Sequence, residues 1–115
     1  MYKREGKPEI CLFTDPCDFR CGINTLSAKV SVAGKDPFSN TVFIFCNKRK
    51  DCLKMLYWGG AGFWLLQFRL EEGKFRWLKG KGMSEISYRQ MEWLLDGMDM
   101  VPSHYNDEVK YKYVV

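Results

Sequence analysis

The chain reads as an α+β protein, a single domain built on an antiparallel β-meander of about four to six strands with two helices packed on one face. Three observations predict this. Between Phe38 and Trp77, β-branched and aromatic runs are separated by turn-like breaks at Asn47–Asp51, Gly59–Gly62 and Glu71–Gly73, a pattern that marks antiparallel strands. Upstream, Phe19, Ile23, Leu26 and Val30 recur at helical spacing, and downstream Tyr88, Met91, Leu94, Leu95 and Met98 form a second helical stripe.

Taken in order, residues 1–9 are polar, and Ile10–Phe13 is a short apolar run that predicts a first strand. Thr14–Asp18 looks like a helix entry. Asp15 can cap, Pro16 suits a first helical turn and Asp18 complements the positive end of the helix dipole. Gly34 and Pro37 close that helix. Thr41–Cys46 is apolar at both parities, as expected of a central strand buried on both sides. Cys52–Trp58 alternates. Phe63–Leu70 places Trp64, Leu66, Phe68 and Leu70 on one face and Phe63, Leu65, Gln67 and Arg69 on the other. Lys74–Leu78 alternates again, with Phe75 and Trp77 against Lys74 and Arg76. Lys79–Gly82 reads as a basic linker, and Ser84 or Ser87 starts the second helix. Val109–Val114 alternates like an edge strand, or orders only against a partner.

At 115 residues the chain is long enough for one modest core, and its 16% aromatic content supplies large buried areas from few side chains. No apolar run approaches a membrane span. The N-terminus lacks the apolar segment of a secretory signal. The expected setting is soluble and cytoplasmic. The five cysteines show no C-x-x-C pair. Cys17 and Cys21 are close enough in sequence for a metal or a regulatory disulfide, but five buried thiols in a reducing compartment is the favoured reading.

The net charge of +4 is unevenly placed. From Lys48 to Lys81 nine basic residues face three acids, so this segment carries +6 and the rest of the chain −2. Such segregation points to a polyanion on one face or edge, or to lysines that protect a sheet edge from aggregation. The expected DNA-facing set is Lys48, Arg49, Lys50, Lys54, Arg69, Lys74 and Arg76, with Arg20 in support. Arg69, Lys74 and Arg76 are expected on the face away from the helix. Trp58, Trp64 and Trp77 are candidate stacking aromatics, at least two of them destined for the core.

No catalytic constellation emerges. His104 is the only histidine, and a nucleophile pair would need it folded back over a cysteine. The Gly59–Gly62 run lies between strands, whereas phosphate cradles need a following helix. No catalytic residue, metal, cofactor or small-molecule substrate is expected.

These stretches also resemble a known family. Asp18-Phe19-Arg20-Cys21-Gly22, Asp36-Pro37-Phe38-Ser39-Asn40, Phe45–Lys54, Trp58–Phe63, Arg69–Trp77 and Gln90–Asp99 occur in the order and near-spacing of the TnpB-type accessory protein of the sixty-six group of bacterial insertion sequences. That family typically carries Asp-Met-Arg-Lys-Gly, Asp-Pro-Phe-Ser-Gly, Phe-x-Asn-x-x-x-Asp-x-x-Lys, Trp-x-Gly-x-Gly-Phe, Arg-Leu-Glu-x-Gly-x-Phe-x-Trp and Gln-Leu-x-x-Leu-Leu-x-Gly-x-Asp. Here Cys21 replaces the usual lysine, and Gly59-Gly60 stands where an acid usually precedes glycine. The resemblance covers about residues 10–100, leaving 1–9 and 101–115 as peripheral tails. It implies a mobile-element protein that assists a separate transposase and brings no catalytic residues. Two roles follow as expectations: DNA binding through a basic sheet face and loop, or docking of the transposase or another accessory subunit without DNA contact.

Overall fold

A computed structural model describes residues 6–80 and 82–98. It contains five strands, β1 (Glu9–Phe13), β2 (Thr41–Cys46), β3 (Cys52–Trp58), β4 (Phe63–Arg69) and β5 (Met83–Ile86), and two helices, α1 (Ile23–Val32) and α2 (Tyr88–Leu95). The strands form one sheet in the order β4-β3-β2-β1-β5. The α+β class therefore holds, with a mixed sheet. β2, β3 and β4 are the predicted meander, joined antiparallel. β1 lies parallel to β2, because residues 14–40 carry the chain through α1 and back to the same end of the sheet. Parallel neighbours require such a crossover.

The helices take opposite faces of the sheet, not one. Strand alternation explains this. Cys11, Phe13, Phe43, Phe45 and Leu56 point to one side and pack with Leu26 and Val30 of α1. Ile10, Leu12, Ile44, Cys46 and Leu53 point to the other, where Phe75, Trp77 and Leu94 of α2 cover them. A strand that is apolar at both parities has two faces to bury, and one helical layer covers only one.

Three further elements differ from expectation. α1 starts at Ile23 with Gly22 as N-cap, so Pro16, Asp18 and Phe19 lie in the loop before it. Asp18 accepts from the backbone N–H of Arg20 at 2.7 Å, a local turn bond that competes with helix. Lys74–Leu78 is no sheet strand. It crosses the α2 face, burying Phe75 and Trp77, with Trp77 Nε1 donating to the Phe13 carbonyl at 2.9 Å. In its place Met83–Ile86 pairs with β1, Ile86 opposite Ile10, a strand hidden in the sequence by the adjoining helix signal. α2 starts at Ser87 with a capping box. Ser87 Oγ accepts from the Gln90 N–H at 3.0 Å and Gln90 Oε1 accepts from the Ser87 N–H at 2.8 Å. The tail strand expected at Val109–Val114 falls outside the described residues.

All five cysteines are free and buried. Burial raises the thiol pKa of Cys46 to about 12 from an ordinary 9.0, and that of Cys17 likewise to about 12, burial first and the Cys21 hydrogen bond second. An unfolded thiol ionises near 9.0 while these two stay protonated in the fold. Unfolding therefore releases protons only above that pH, and stability is lost as pH rises from about 9 towards about 12. The thermal midpoint is expected to be level from about pH 7 to 8.5 and to fall above about 9. The Cys46→Ala variant should show a shallower decline, and an unchanged slope would refute the assignment.

Candidate nucleic-acid interface

The basic residues are organised by the loop between β2 and β3. Asn47 closes it. Its side-chain oxygen accepts from the N–H groups of Asp51 and Cys52, both at 3.1 Å, and its amide donates to Asp51 Oδ1 at 2.8 Å. Lys50 takes a left-handed backbone, φ 60°, at the tip of this asparagine-bound turn. Lys48 and Arg49 project into solvent and Lys50 is half-exposed. The Asp51 carboxyl is held below its usual range, by the Asn47 hydrogen bond first and then by Arg49 and Arg69. The loop thus presents three consecutive cations on a backbone fixed from beneath.

Later segments dock against the same loop. The Leu70 N–H donates to the Asp51 carbonyl at 2.9 Å and the Phe75 N–H to the Lys50 carbonyl at 2.7 Å. Lys74 Nζ reaches the Arg49 carbonyl at 3.0 Å. On the α1 side the Cys17 N–H donates to the Cys46 carbonyl at 2.8 Å, bringing in the loop that carries Phe19 and Arg20. Lys54 Nζ donates to the carbonyls of Phe19 and Cys21 at 2.8 and 2.7 Å. The Phe19 ring, 45% exposed, lies 5.5 Å from both Lys54 Nζ and Arg69 Cζ, within cation–π range.

The structure therefore gathers Lys48, Arg49, Lys50, Lys54, Arg69 and Lys74 at one end of the sheet, a rim rather than a face. Arg69 alternates onto the α1 side, with Leu65, and so does not join Lys74 and Arg76 on the opposite face. Arg76 is exposed between buried Phe75 and Trp77. Arg20 is beside the rim, paired with Asp18 at 3.3 Å. None of the candidate tryptophans serves this end. Trp77 is core, Trp58 packs on Phe38 and Phe63 at 4.9 Å each, and Trp64 stands on β4 near its far end. Sequence reasoning missed Phe19, which sits at helical spacing from Ile23, and Asn47, whose signal was present as asparagine and aspartate flanking a tight connection.

Two cations have structural duties. Lys54 is half-buried and engaged with two carbonyls, and Lys74 with one. Lys48, Arg49 and Arg69 are exposed, Arg49 with its Nε 3.9 Å from Asp51 Oδ2 and Arg69 over the Phe19 ring, and all three are open to an anion from solvent. Among the described residues no three His, Cys, Asp or Glu side chains are grouped so as to hold a metal ion, and no helix is long and apolar enough to cross a membrane.

The sequence matches the family of IS66 Orf2 like proteins over residues 8–104, and the chain belongs to that family. Among curated proteins it is 39% identical over 92 residues to the uncharacterized protein y4jC of Sinorhizobium fredii, covering 78% of this chain and 79% of the relative. A second uncharacterized protein of the same organism, y4hO, is 32% identical over 92 residues, covering 78% and 80%. No solved structure matches. The family places the chain among insertion-sequence accessory proteins.

These geometries separate the cations experimentally. Lys54→Met is expected to lower stability by about 1–3 kcal/mol through two orphaned carbonyls, and Asn47→Ala by a similar amount. Lys48→Gln should stay within about 0.5 kcal/mol of the parent. Urea midpoints measure all three. Equal midpoints for Lys54→Met and Lys48→Gln would remove the distinction.

Proposed function

We propose that the chain is a non-catalytic accessory protein of an insertion sequence that assists transposition by binding duplex DNA through its basic rim. One observation carries the reading: cations from separate parts of the sequence, Arg20, Lys48–Lys50, Arg69 and Lys74, converge on one end of the sheet, where the half-exposed Phe19 ring lies against Lys54 and Arg69. Solvated lysines scattered for solubility have no reason to converge. The exposed members neutralise backbone phosphates, which bind strongly and without regard to sequence. Lys54 and Lys74 hold the supporting loops, and Arg76 adds charge from the adjoining segment. The Phe19 ring, already facing two cations, offers a flat apolar surface to a sugar or an unstacked base.

The test is binding of a labelled duplex over a salt series. With about five phosphates neutralised, the logarithm of affinity should fall against the logarithm of salt with a slope of about −4 to −5. Replacing Lys48, Arg49 and Lys50 together by glutamine should bring that slope about 3 closer to zero while the fold survives. A slope near zero in the parent chain overturns the reading. Association with the transposase that persists at high salt, without DNA binding, would assign the protein to docking instead.

A further inference from the structure

The two edges of the sheet are unlike. β5 forms one, four residues long with Glu85 exposed. β4 forms the other, the seven residues FWLLQFR, with no charge before Arg69 and no proline. Its ladder with β3 runs from Cys52–Arg69 to Trp58–Phe63 without a bulge. Edge strands carry a row of unpaired N–H and C=O groups, and proteins ordinarily blunt them with charge, proline, a bulge or a covering segment. From Phe63 to Phe68 none of these is found among the described residues. On the α2 side the same strand exposes Trp64 by 61%, Leu66 by 57% and Phe68 by 40%, because α2 and the Phe75–Trp77 crossing lie mainly over the inner strands, with Phe75 reaching the Phe68 ring at 6.1 Å.

We propose that β4 pairs antiparallel with β4 of a second copy of this chain, about a two-fold axis through Leu66, so that the two sheets become one. On the α2 side the strand is self-complementary about Leu66, apolar residue meeting apolar residue, which fits a second copy of itself, and charge selects the register. Around Leu66, Trp64 meets the partner's Phe68 and Leu66 meets the partner's Leu66 on one face. On the other, Leu65 meets the partner's Gln67 and Phe63 the partner's Arg69, an aromatic ring opposite a guanidinium. Continuing the register, Glu71 and Glu72 fall beside the partner's Ala61 and Gly60. Every charge adjoining the strand thus meets an uncharged residue. A parallel in-register pair would stand Arg69 and both glutamates beside their own copies. The antiparallel pair also sends the two Lys48–Lys50 loops to opposite ends of the joined sheet, so two chains of net charge +4 do not abut through their basic rims.

The proposal rests on the edge of β4 and not on DNA binding, Arg69 being the one residue common to both, and is tested on the full chain by sedimentation across a dilution series. The parent is expected to be a dimer. Leu66→Lys, which sets two ammonium groups face to face on the axis, should weaken dimerisation by about 100-fold or more. Because Leu66 is exposed, its circular dichroism and thermal midpoint as a monomer should be unchanged. Directly opposed Cβ atoms in an antiparallel pair lie about 4.5–5.5 Å apart, so Leu66→Cys treated with glutathione disulfide should form a covalent dimer. Val32→Cys, on the exposed side of α1, should not. A parent chain that is monomeric at about 100 μM overturns the proposal, as does a dimer indifferent to Leu66→Lys. A monomer that dimerises only when residues 99–115 are removed assigns the edge to the chain's own tail and also overturns it. A monomer that loses transposase co-purification on Leu66→Lys assigns the edge to that protein and overturns it equally.

Discussion

The structure depends on β2 being buried on both sides. Phe43 and Phe45 face one layer, Ile44 and Cys46 the other, none more than 2% exposed. A strand so placed needs a neighbour on each edge and a cover on each face, and short local elements cannot supply all four. The chain meets the need by sending α1 across one face and returning parallel to β1, then laying Phe75, Trp77 and α2 over the other. The mixed sheet and the split helices are consequences of that single demand. Their burial carries most of the hydrophobic free energy available to a domain of this size.

The family's short motifs gain physical meaning on this scaffold. In the stretch resembling Phe-x-Asn-x-x-x-Asp-x-x-Lys, Phe45 stacks on Phe13 at 4.5 Å, Asn47 and Asp51 clasp each other, and Lys54 satisfies two carbonyls of the preceding loop. These residues build the end of the sheet. The cations between them, Lys48 and Arg49, are the ones left facing solvent. At the other end of the sheet, a Cβ on Gly59 would lie 2.9 Å from Trp64 Nε1 and oblige the indole to shift. The order of the motifs thus describes a support with a charged tip.

Much of this was legible in the sequence, and unevenly so. The meander Thr41–Arg69 was clear because alternation and turn residues agree there. The second helix start was legible only to within Ser84 or Ser87, and the box with Gln90 three residues on selects Ser87. The parallel placement of β1 was not legible, because pairing direction is set by where the crossover returns and leaves no local mark. Phe19 misled because its spacing from Ile23 fits a helix that Asp18 and Gly22 prevent. The convergence of the cations depended on long-range hydrogen bonds, such as Phe75 to Lys50 and Lys54 to Phe19, that no window of sequence contains. Segment charge announced a basic region, and tertiary contacts turned it into a rim.

The pairing of β1 with β5 has a consequence for how the protein is made. Ile10 waits for Ile86 and Phe13 for Met83, so β1 is flanked on both sides only once the chain has been synthesised through Ile86. Contacts of such long sequence separation slow folding, because a large loop must close before they reward it. Until then β1 has one open side, and the apolar run Ile10–Phe13 is available to other chains. Completion of the sheet thus waits on a segment far downstream of the strand that it closes.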